Sequence, residues 1–419
     1  MAEPSVELKQ KIDEADISKD VDVAPDITQA IDVAPRIAQS NVVGPGIDQP
    51  NVSVNTAKYF FNAEKYKVRN DLIDWYKCEA AKAGFTIVIE KSDNGVDRRK
   101  KYFVLGCERR AMVIWTVVSW VVKMAGLKLY TVEIQPGTVM RFWVPSNTIS
   151  KPKPKPKSKP ISKPTKPVVV LLHGFCGDGL ATWQYQISPL SKNYAVYVPD
   201  LIFFGGSTTD KPDRSLAFQA ECLAAGLRKL GVEKCVVVGF SYGGMVAFKM
   251  AELYHELVQA VVITGAVLAI NESLISKAVE DAGFSSCSEM LMPSSVDGVR
   301  TLLSVGFYKN YPLPNFLLSD FLKVMFSNRK ERSELLDELV LSYKDINIPK
   351  FPQRLHLLWG EKDQLFKPEV AQKMKEKLGN KATFQEIKKA GHLAHLERPC
   401  IYNKGLKQFI SSVMLDERK

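Results

Sequence analysis

Three polar residues that lie far apart in the sequence have the types needed for a hydrolytic site. Ser241 stands in "GFSYGG", Asp363 in "WGEKD" and His392 in "AGHLAHLERP". A serine hydroxyl is a poor nucleophile at neutral pH, so an imidazole must remove its proton during attack. A carboxylate then fixes the imidazole tautomer and stabilises the imidazolium that forms. We therefore predict Ser241 as the nucleophile, His392 as the general base and acid, and Asp363 as its partner.

Apolar runs before these residues predict the strands that position them. The runs are "VVVLLHGF", "YAVYVPD", "CVVVGF", "VQAVVITGA" and "RLHLLWG". They show no alternation of apolar and polar residues, which is typical of strands buried on both faces of a mostly parallel sheet. Helix-like segments separate several of them, so the predicted fold class is α/β, with helices flanking a mostly parallel central sheet. The carboxyl edge of that sheet would then hold the site.

A tetrahedral oxyanion needs hydrogen-bond donors that are already aimed at it. The residue after the nucleophile supplies one in this kind of strand-to-helix turn, which predicts the amide of Tyr242. The loop "LLHGFCGDG" predicts the second donor, at Phe175. Gly239 and Gly243 fall where a side chain would obstruct so tight a turn.

Other residues compete for these roles. Ser241 could serve only as a small residue in a turn. Asp200 in "VPDLIFFGGS" is a rival acid, but it precedes the nucleophile, which favours a structural role. His395 lies three residues after His392, and the Gly-His pair favours His392 as the base. His173 is expected to shape the loop that carries Phe175.

Residues 112–415 resemble the α/β-hydrolase superfamily, particularly plant members similar to monoacylglycerol lipases and other lipid esterases. The motifs that carry the resemblance are "LLHGF", "VPDLIFFGGS", "GFSYGG", "WGEKD" and "AGHLAHLERP". The resemblance implies a helical cap at about 270–350, where the run "LPNFLLSDFLKVMF" suits either acyl binding or helix packing. The segment "HLAHLE" ends in Glu397 where some acyltransferase relatives have aspartate, which disfavours acyl transfer.

These features predict a serine carboxylesterase or lipase that cleaves an apolar carboxylic ester, with a monoacylglycerol as one candidate, through an acyl-enzyme. No cofactor and no metal are expected. An epoxide hydrolase-like enzyme of the same fold is a weaker alternative, because such enzymes attack with a carboxylate and position 241 is serine. A non-catalytic ligand receptor or scaffold that keeps the pocket is the other alternative.

The N-terminal part predicts two segments of different character. Residues 1–56 carry a ten-residue repeat with regularly spaced prolines and no aromatic residues, which indicates a disordered tail. Residues 57–110 predict a small α+β unit. It resembles the start of the zinc-binding module of far-red-impaired-response factors and Mutator-like transposases, through a "W…A…GF" helix and "LGCER". Cys107 matches the first ligand, but no second cysteine or His-x-His follows, so a truncated, metal-free unit is expected.

Residues 111–128, which include "AMVIWTVVSWVV", predict a hydrophobic helix. This helix either packs on the protein or lies in a membrane interface, with Trp115 and Trp120 at headgroup depth. The hydrolase domain is predicted at 129–415. It contains a Lys/Pro-rich loop at 151–167, expected to be an extended solvated segment, with an anionic-lipid contact or a nuclear-import signal as alternatives.

Charge and cysteine content limit the partners and the compartment. The net charge is +11, but seven lysines lie between Lys151 and Lys166, so nucleic-acid binding by the whole chain is not expected. Seven scattered cysteines without a Cys-x-x-Cys are typical of reduced thiols. The first residues do not form a signal peptide, which favours an intracellular protein, cytoplasmic or peripherally attached to membranes. The sequence makes no prediction about oligomeric state.

Overall fold

The computed structural model describes residues 87–93, 102–107, 118–149, 161–268, 279–281, 283–341 and 349–416. The chain divides into two compact units, Met1–Thr116 and Val117–Lys419. In the first unit, β1 (Ile87–Asp93) pairs antiparallel with β2 (Tyr102–Cys107), within the predicted α+β unit 57–110. The predicted tail, the predicted helix of that unit, and most of the Lys/Pro-rich loop lie outside the described residues.

The second unit opens with a helix and a hairpin. Residues 118–124 are helical (α1), and β3 (Leu127–Gln135) and β4 (Thr138–Pro145) follow as an antiparallel pair. The prediction that the hydrophobic helix extends to residue 128 is wrong, because the helix ends at residue 124 and β3 begins at Leu127. Gly126 has a φ of +85°, a conformation that ends the helix and that glycine adopts without steric cost.

The central sheet continues with strands that are mostly parallel. They are β5 (Val168–Leu172), β6 (Ala195–Pro199), β7 (Thr208–Thr209), β8 (Cys235–Phe240), β9 (Val258–Thr264), β10 (Arg354–Gly360) and β11 (Ala382–Ile387). Within the described residues the order is β11-β10-β9-β8-β5-β6-β4-β3, with β7 beside β4. Neighbouring strands from β11 to β6 run parallel, while β4 pairs antiparallel with β6. The predicted mostly parallel sheet is confirmed.

Helices cover both faces of this sheet. They are α2 (Gly179–Ser191), α3 (Leu216–Lys229), α4 (Tyr242–Leu253), α9 (Pro368–Leu378), α10 (Ala394–Glu397) and α11 (Pro399–Asp416). The numbers α5 to α8 belong to the four helices between β9 and β10, which are described below. Side chains cap the first two: Asp178 accepts a hydrogen bond from the Ala181 amide, and Ser215 accepts one from Phe218. Two apolar clusters form the core, one on each side of the sheet, because every residue of the central strands β5, β6 and β8 is buried.

Four helices with described bounds, and a short helical stretch at 279–281, lie between β9 and β10, where a cap was expected. The four helices are α5 (Cys287–Leu291), α6 (Val296–Gly306), α7 (Asn315–Met325) and α8 (Arg329–Leu341). Residues 269–278 and 342–348 on either side of them are outside the described part. The described residues contain no helix that is both long and apolar enough to cross a membrane.

Candidate active site

Ser241 occupies a strained turn between a strand and a helix. β8 ends at Phe240 and α4 begins at Tyr242, so Ser241 alone links them, with φ +51° and ψ −121°. Non-glycine residues rarely adopt this region, and such strain persists only where the surroundings fix it. Here the Ser241 amide donates to the Thr264 carbonyl at 2.9 Å, which ties the turn to β9. The geometry holds the serine at the carboxyl edge of the sheet.

Two glycines make this turn sterically feasible, as the sequence predicts. A Cβ at Gly239 would lie 2.5 Å from the Gly243 carbonyl oxygen. A Cβ at Gly243 would collide with the carbonyl oxygen of His173. Both obstacles are backbone atoms, which cannot move aside as a flexible side chain can, so α4 approaches β8 and β5 only with glycine at these positions.

Asp363 and His392 form a buried pair at the same edge. His392 Nδ1 lies 2.9 Å from Asp363 Oδ2, and the two residues are 5% and 3% exposed. The other carboxylate oxygen, Oδ1, accepts the amides of Leu365 at 3.0 Å and Phe366 at 2.9 Å. Because Asp363 can only accept hydrogen bonds when ionised, it holds the proton on Nδ1 and leaves Nε2 as the basic nitrogen.

The His392 ring lies next to the turn that carries Ser241. Its centroid is 4.9 Å from that of Phe240, the residue before Ser241, and 5.9 Å from that of Phe366. Gly265, with φ +55°, passes so close that a Cβ there would lie 2.6 Å from His392 Cε1. The structure therefore brings all three predicted residues to one edge, and it adds Gly265 as a requirement that the sequence did not reveal.

Ser241 also lies on the wall of a cavity. The cavity has an empty volume of about 540 Å³, part of which is open to solvent, and both predicted oxyanion residues, Phe175 and Tyr242, border it. The remaining wall is apolar: α4, α5, α8 and the segment after β10 contribute methionine, leucine, phenylalanine and one cysteine, and the helical stretch at 279–281 contributes Val279. None of the described lining residues is charged. The Leu/Phe-rich α7 does not line this cavity, so of its two predicted roles the structure favours packing, with Leu318 and Met325 buried.

Asp200, the alternative candidate for the orienting carboxylate, binds the beginning of α2, whereas His392 binds Asp363. The Oδ1 of Asp200 accepts the Gly179 amide at 3.0 Å, at the beginning of α2. Burial, and then the neighbouring Asp178 carboxylate, raise the pKa of Asp200 to about 8. The raised pKa favours the protonated form of Asp200, and its hydrogen bond with the Gly179 amide stabilises the beginning of α2.

Two other histidines, His173 and His395, are buried, and among the described hydrogen bonds neither is bound to Asp363. His173 Nε2 accepts the Leu201 amide at 2.9 Å and its Nδ1 lies 2.8 Å from the Gly174 carbonyl, while burial lowers its pKa to about 4. The neutral ring thus links the Phe175 loop to the loop after β6. His395 packs 4.4 Å from the Phe240 ring, and burial, with a smaller effect of His392, lowers its pKa to about 3.

A ring from the loop after β6 supports both predicted oxyanion residues. Phe204 lies 5.4 Å from the ring of Phe175 and 6.1 Å from that of Tyr242. The guanidinium of Arg332, on cap helix α8, stands 4.1 Å above the Phe204 ring, and its Nε donates to the Phe203 carbonyl at 3.1 Å. Arg332 is only 2% exposed. Sequence reasoning missed both Phe204 and Arg332, because nothing in their local context indicates this contact.

The described residues contain no cluster of three or more histidine, cysteine, aspartate or glutamate side chains that could hold a metal ion.

This architecture is the α/β-hydrolase fold. Residues 167–341 match a family model described as "alpha/beta hydrolase fold". A candidate lipase from Acinetobacter baumannii superimposes with a TM-score of 0.60 at 19% identity, covering 72% of this chain and 97% of the other. The 2-hydroxy-6-oxo-6-phenylhexa-2,4-dienoate hydrolase from a Rhodococcus species gives a TM-score of 0.54 at 19% identity, covering 68% and 99%. At these identities the two neighbours establish the fold alone.

Among curated proteins, the chain is similar to mouse (Mus musculus) epoxide hydrolase 4, with 32% identity over 102 residues. That match covers 23% of this chain and 28% of the relative. The chain therefore matches less than a third of the length of this relative. The family match lies within residues 167–341, outside the N-terminal unit, so the transposase-like interpretation of residues 57–110 stays a prediction.

Proposed function

We propose that this protein is a serine hydrolase that cleaves an apolar carboxylic ester through an acyl-enzyme. One observation carries the proposal: a buried Asp363–His392 pair stands beside the strained Ser241 turn, and Ser241 lies on the wall of a cavity whose described lining residues carry no charge. A nucleophile, a base and an orienting carboxylate at one sheet edge are the groups that acyl transfer requires.

The chemistry assigns a role to each group. Ser241 Oγ attacks the ester carbonyl while His392 Nε2 takes its proton, and Asp363 stabilises the resulting imidazolium. The amides of Tyr242 and Phe175 bind the oxyanion of the tetrahedral intermediate. His392 then gives the proton to the leaving alcohol, which leaves the acyl group on Ser241. A water molecule, activated by the same imidazole, releases the acid and restores the serine.

The cavity limits the substrate class. An ionised group on the acyl chain would lose its hydration without gaining a charged partner among the described lining residues, which is costly. A neutral aliphatic or aromatic acyl group instead gains from burial against the Met, Leu and Phe side chains. A monoacylglycerol, with a neutral headgroup and one acyl chain, is a candidate of this class.

The likeness to an epoxide hydrolase raises a second candidate within the same fold. Epoxide opening by this fold uses a carboxylate nucleophile, whereas the residue between β8 and α4 is Ser241. The residues therefore favour ester hydrolysis over epoxide hydrolysis. A ligand receptor or scaffold would need the cavity without the reactivity of the serine, and labelling of Ser241 distinguishes it from an enzyme.

The test is an activity probe followed by a panel of esters. We expect a fluorophosphonate to label the wild-type protein at Ser241, with one label per chain. Neutral p-nitrophenyl esters should show kcat/KM rising with acyl length until the cavity is full, while an ester with a terminal carboxylate on its acyl chain reacts poorly. A folded wild-type protein that stays unlabelled, or that hydrolyses an epoxide faster than every ester, would contradict the proposal.

Arg332 is predicted to act as a positioning residue for the oxyanion donors. In Arg332→Met the cation above Phe204 is lost, so the support beneath Phe175 and Tyr242 loosens. Removing an oxyanion donor costs about 10²- to 10³-fold in kcat, and misplacing one should cost about 10- to 100-fold, with KM little changed. Steady-state kinetics with one neutral ester measures the split between kcat and KM.

Two further variants make this prediction specific. Arg332→Lys keeps a cation at this position and should recover part of kcat. Arg214→Met is the matched control, because Arg214 lies 4.5 Å above the neighbouring Phe203 ring and also reaches α8, through Glu334. Thermal denaturation checks that both variants are folded. If they are, equal kcat values for Arg332→Met and Arg214→Met would show that Arg332 has no special effect on the oxyanion donors.

A further inference from the structure

The loop that carries His392 packs directly against the backbone of the cap. A Cβ at Gly391, the residue before His392, would lie 2.7 Å from the Tyr308 amide nitrogen and 2.8 Å from the Gly306 carbonyl oxygen. On the other side of His392, the Leu393 amide donates to the same Gly306 carbonyl at 3.1 Å. Gly306 is the last residue of α6, and Tyr308 lies in the segment that follows it. The cap therefore contacts the residues on both sides of His392.

The side chain of Glu397 fastens this contact with three hydrogen bonds. One carboxylate oxygen, Oε2, accepts the Gly391 amide at 2.6 Å. The other, Oε1, accepts the amides of Tyr308 at 2.9 Å and Lys309 at 3.3 Å. An ionised carboxylate only accepts hydrogen bonds, and bonds to such a charged group are roughly twice as strong as neutral ones. One half-buried side chain at the end of α10 thus binds both the His392 loop and the segment after α6.

We propose that Glu397 is a positioning residue for His392. It acts through the backbone: because the Gly391 amide and the cap amides share one carboxylate, the loop stays where the imidazole pairs with Asp363. A displacement of a reacting group by about 1 Å can cost about 10²-fold in rate. The consequence for catalysis rests on the proposed serine hydrolase function, whereas the placement of the imidazole does not.

A second glutamate on the same loop provides a matched comparison. Glu361 Oε2 accepts the amide of Lys389, three residues before His392, at 2.9 Å. Its Oε1 lies 3.5 Å from the ammonium group of Lys362 and 3.8 Å from that of Lys388. No described hydrogen bond or ion pair links Glu361 to the cap. Since one backbone amide binds this carboxylate, a single acceptor oxygen is sufficient there.

The experiment compares Glu397→Gln with Glu361→Gln, which remove the same charge. All three partners of Glu397 are donors, so the NH₂ group of glutamine must face either the Gly391 amide or the cap amides and break that contact. We expect Glu397→Gln to lower kcat for a neutral p-nitrophenyl ester about 10- to 100-fold, with KM changed by no more than a few fold. Glu361→Gln keeps the one acceptor that it needs and should keep wild-type kcat. Glu397→Asp retains both acceptor oxygens on a shorter side chain and should recover part of the loss.

A second measurement needs no turnover. The proton on His392 Nδ1 gives a far-downfield ¹H NMR resonance when it is hydrogen-bonded to Asp363, because the carboxylate deshields it. This resonance should move upfield and broaden in Glu397→Gln and stay unchanged in Glu361→Gln. A wild-type protein without esterase activity and without Ser241 labelling would contradict the hydrolase proposal alone, and the resonance would still decide the role of Glu397.

Two results would overturn the proposal. If Glu397→Gln lowers Tm but keeps wild-type kcat and an unchanged resonance, Glu397 only stabilises the cap. If both glutamine variants lose kcat equally, the lost charge is responsible and the contact with the cap is not. Circular dichroism checks that each variant is folded. Should Glu397→Gln fail to fold, Glu397→Asp decides, and wild-type kcat together with an unchanged resonance in that variant would contradict the proposal.

Discussion

Ser241→Ala is expected to lower kcat for a neutral ester by about 10⁵- to 10⁶-fold, with KM changed by no more than a few fold. Without its hydroxyl the protein cannot form an acyl-enzyme, so only the cavity and the oxyanion donors remain to accelerate attack by water. Because the side chain is small and its backbone φ is already +51°, alanine meets the same strain as serine and the fold should persist. Stopped assays with a chromogenic ester measure kcat, and fluorophosphonate labelling should disappear in parallel.

A second serine serves as the control for this change. Ser304 lies in cap helix α6, where its hydroxyl donates to the Thr301 carbonyl, and it does not line the cavity. Ser304→Ala should keep both labelling and kcat. If Ser241→Ala retained more than about one-hundredth of wild-type kcat, with comparable purity and folding, another residue would be the nucleophile.

The sequence was sufficient to predict the sheet and the turn because these depend on local signals. The continuous apolar runs gave strands β5, β6, β8, β9 and β10, since strands buried on both faces need apolar residues at every position. The glycines around Ser241 predicted the turn, since the obstacles that they avoid lie within a few residues or on the neighbouring strand. The positions of Asp363 and His392 followed from the rule that parallel strands end at one edge.

Contacts between distant segments could not be predicted in the same way. Arg332 lies above Phe204, and Gly265 lies against His392, yet each pair is separated by more than a hundred residues and has no periodic or composition signal. The cap shows the same limit. The family resemblance implied its helices, but which helix lines the cavity depends on how each one is oriented, and α5 and α8 line it instead of α7.

Asp363→Asn is expected to lower kcat by about 10⁴-fold, and the hydrogen bonds explain why. The amides of Leu365 and Phe366 both donate to Oδ1, so the asparagine oxygen should take that position and its NH₂ should face His392. A donor opposite Nδ1 favours the tautomer with the proton on Nε2. That nitrogen is then unable to accept the Ser241 proton, although the geometry of the site is preserved.

Asp200→Asn is the matched control, and it separates the two carboxylates that the sequence alone left in competition. Burial, and then the Asp178 carboxylate, raise the pKa of Asp200, which favours its neutral form, so the neutral asparagine is a close replacement for the native side chain. The asparagine oxygen can still accept the Gly179 amide. We therefore expect kcat within a few fold of wild type at pH 7. A larger loss of kcat in Asp200→Asn than in Asp363→Asn, with both variants folded, would transfer the role of orienting carboxylate to Asp200 and contradict the site proposed here.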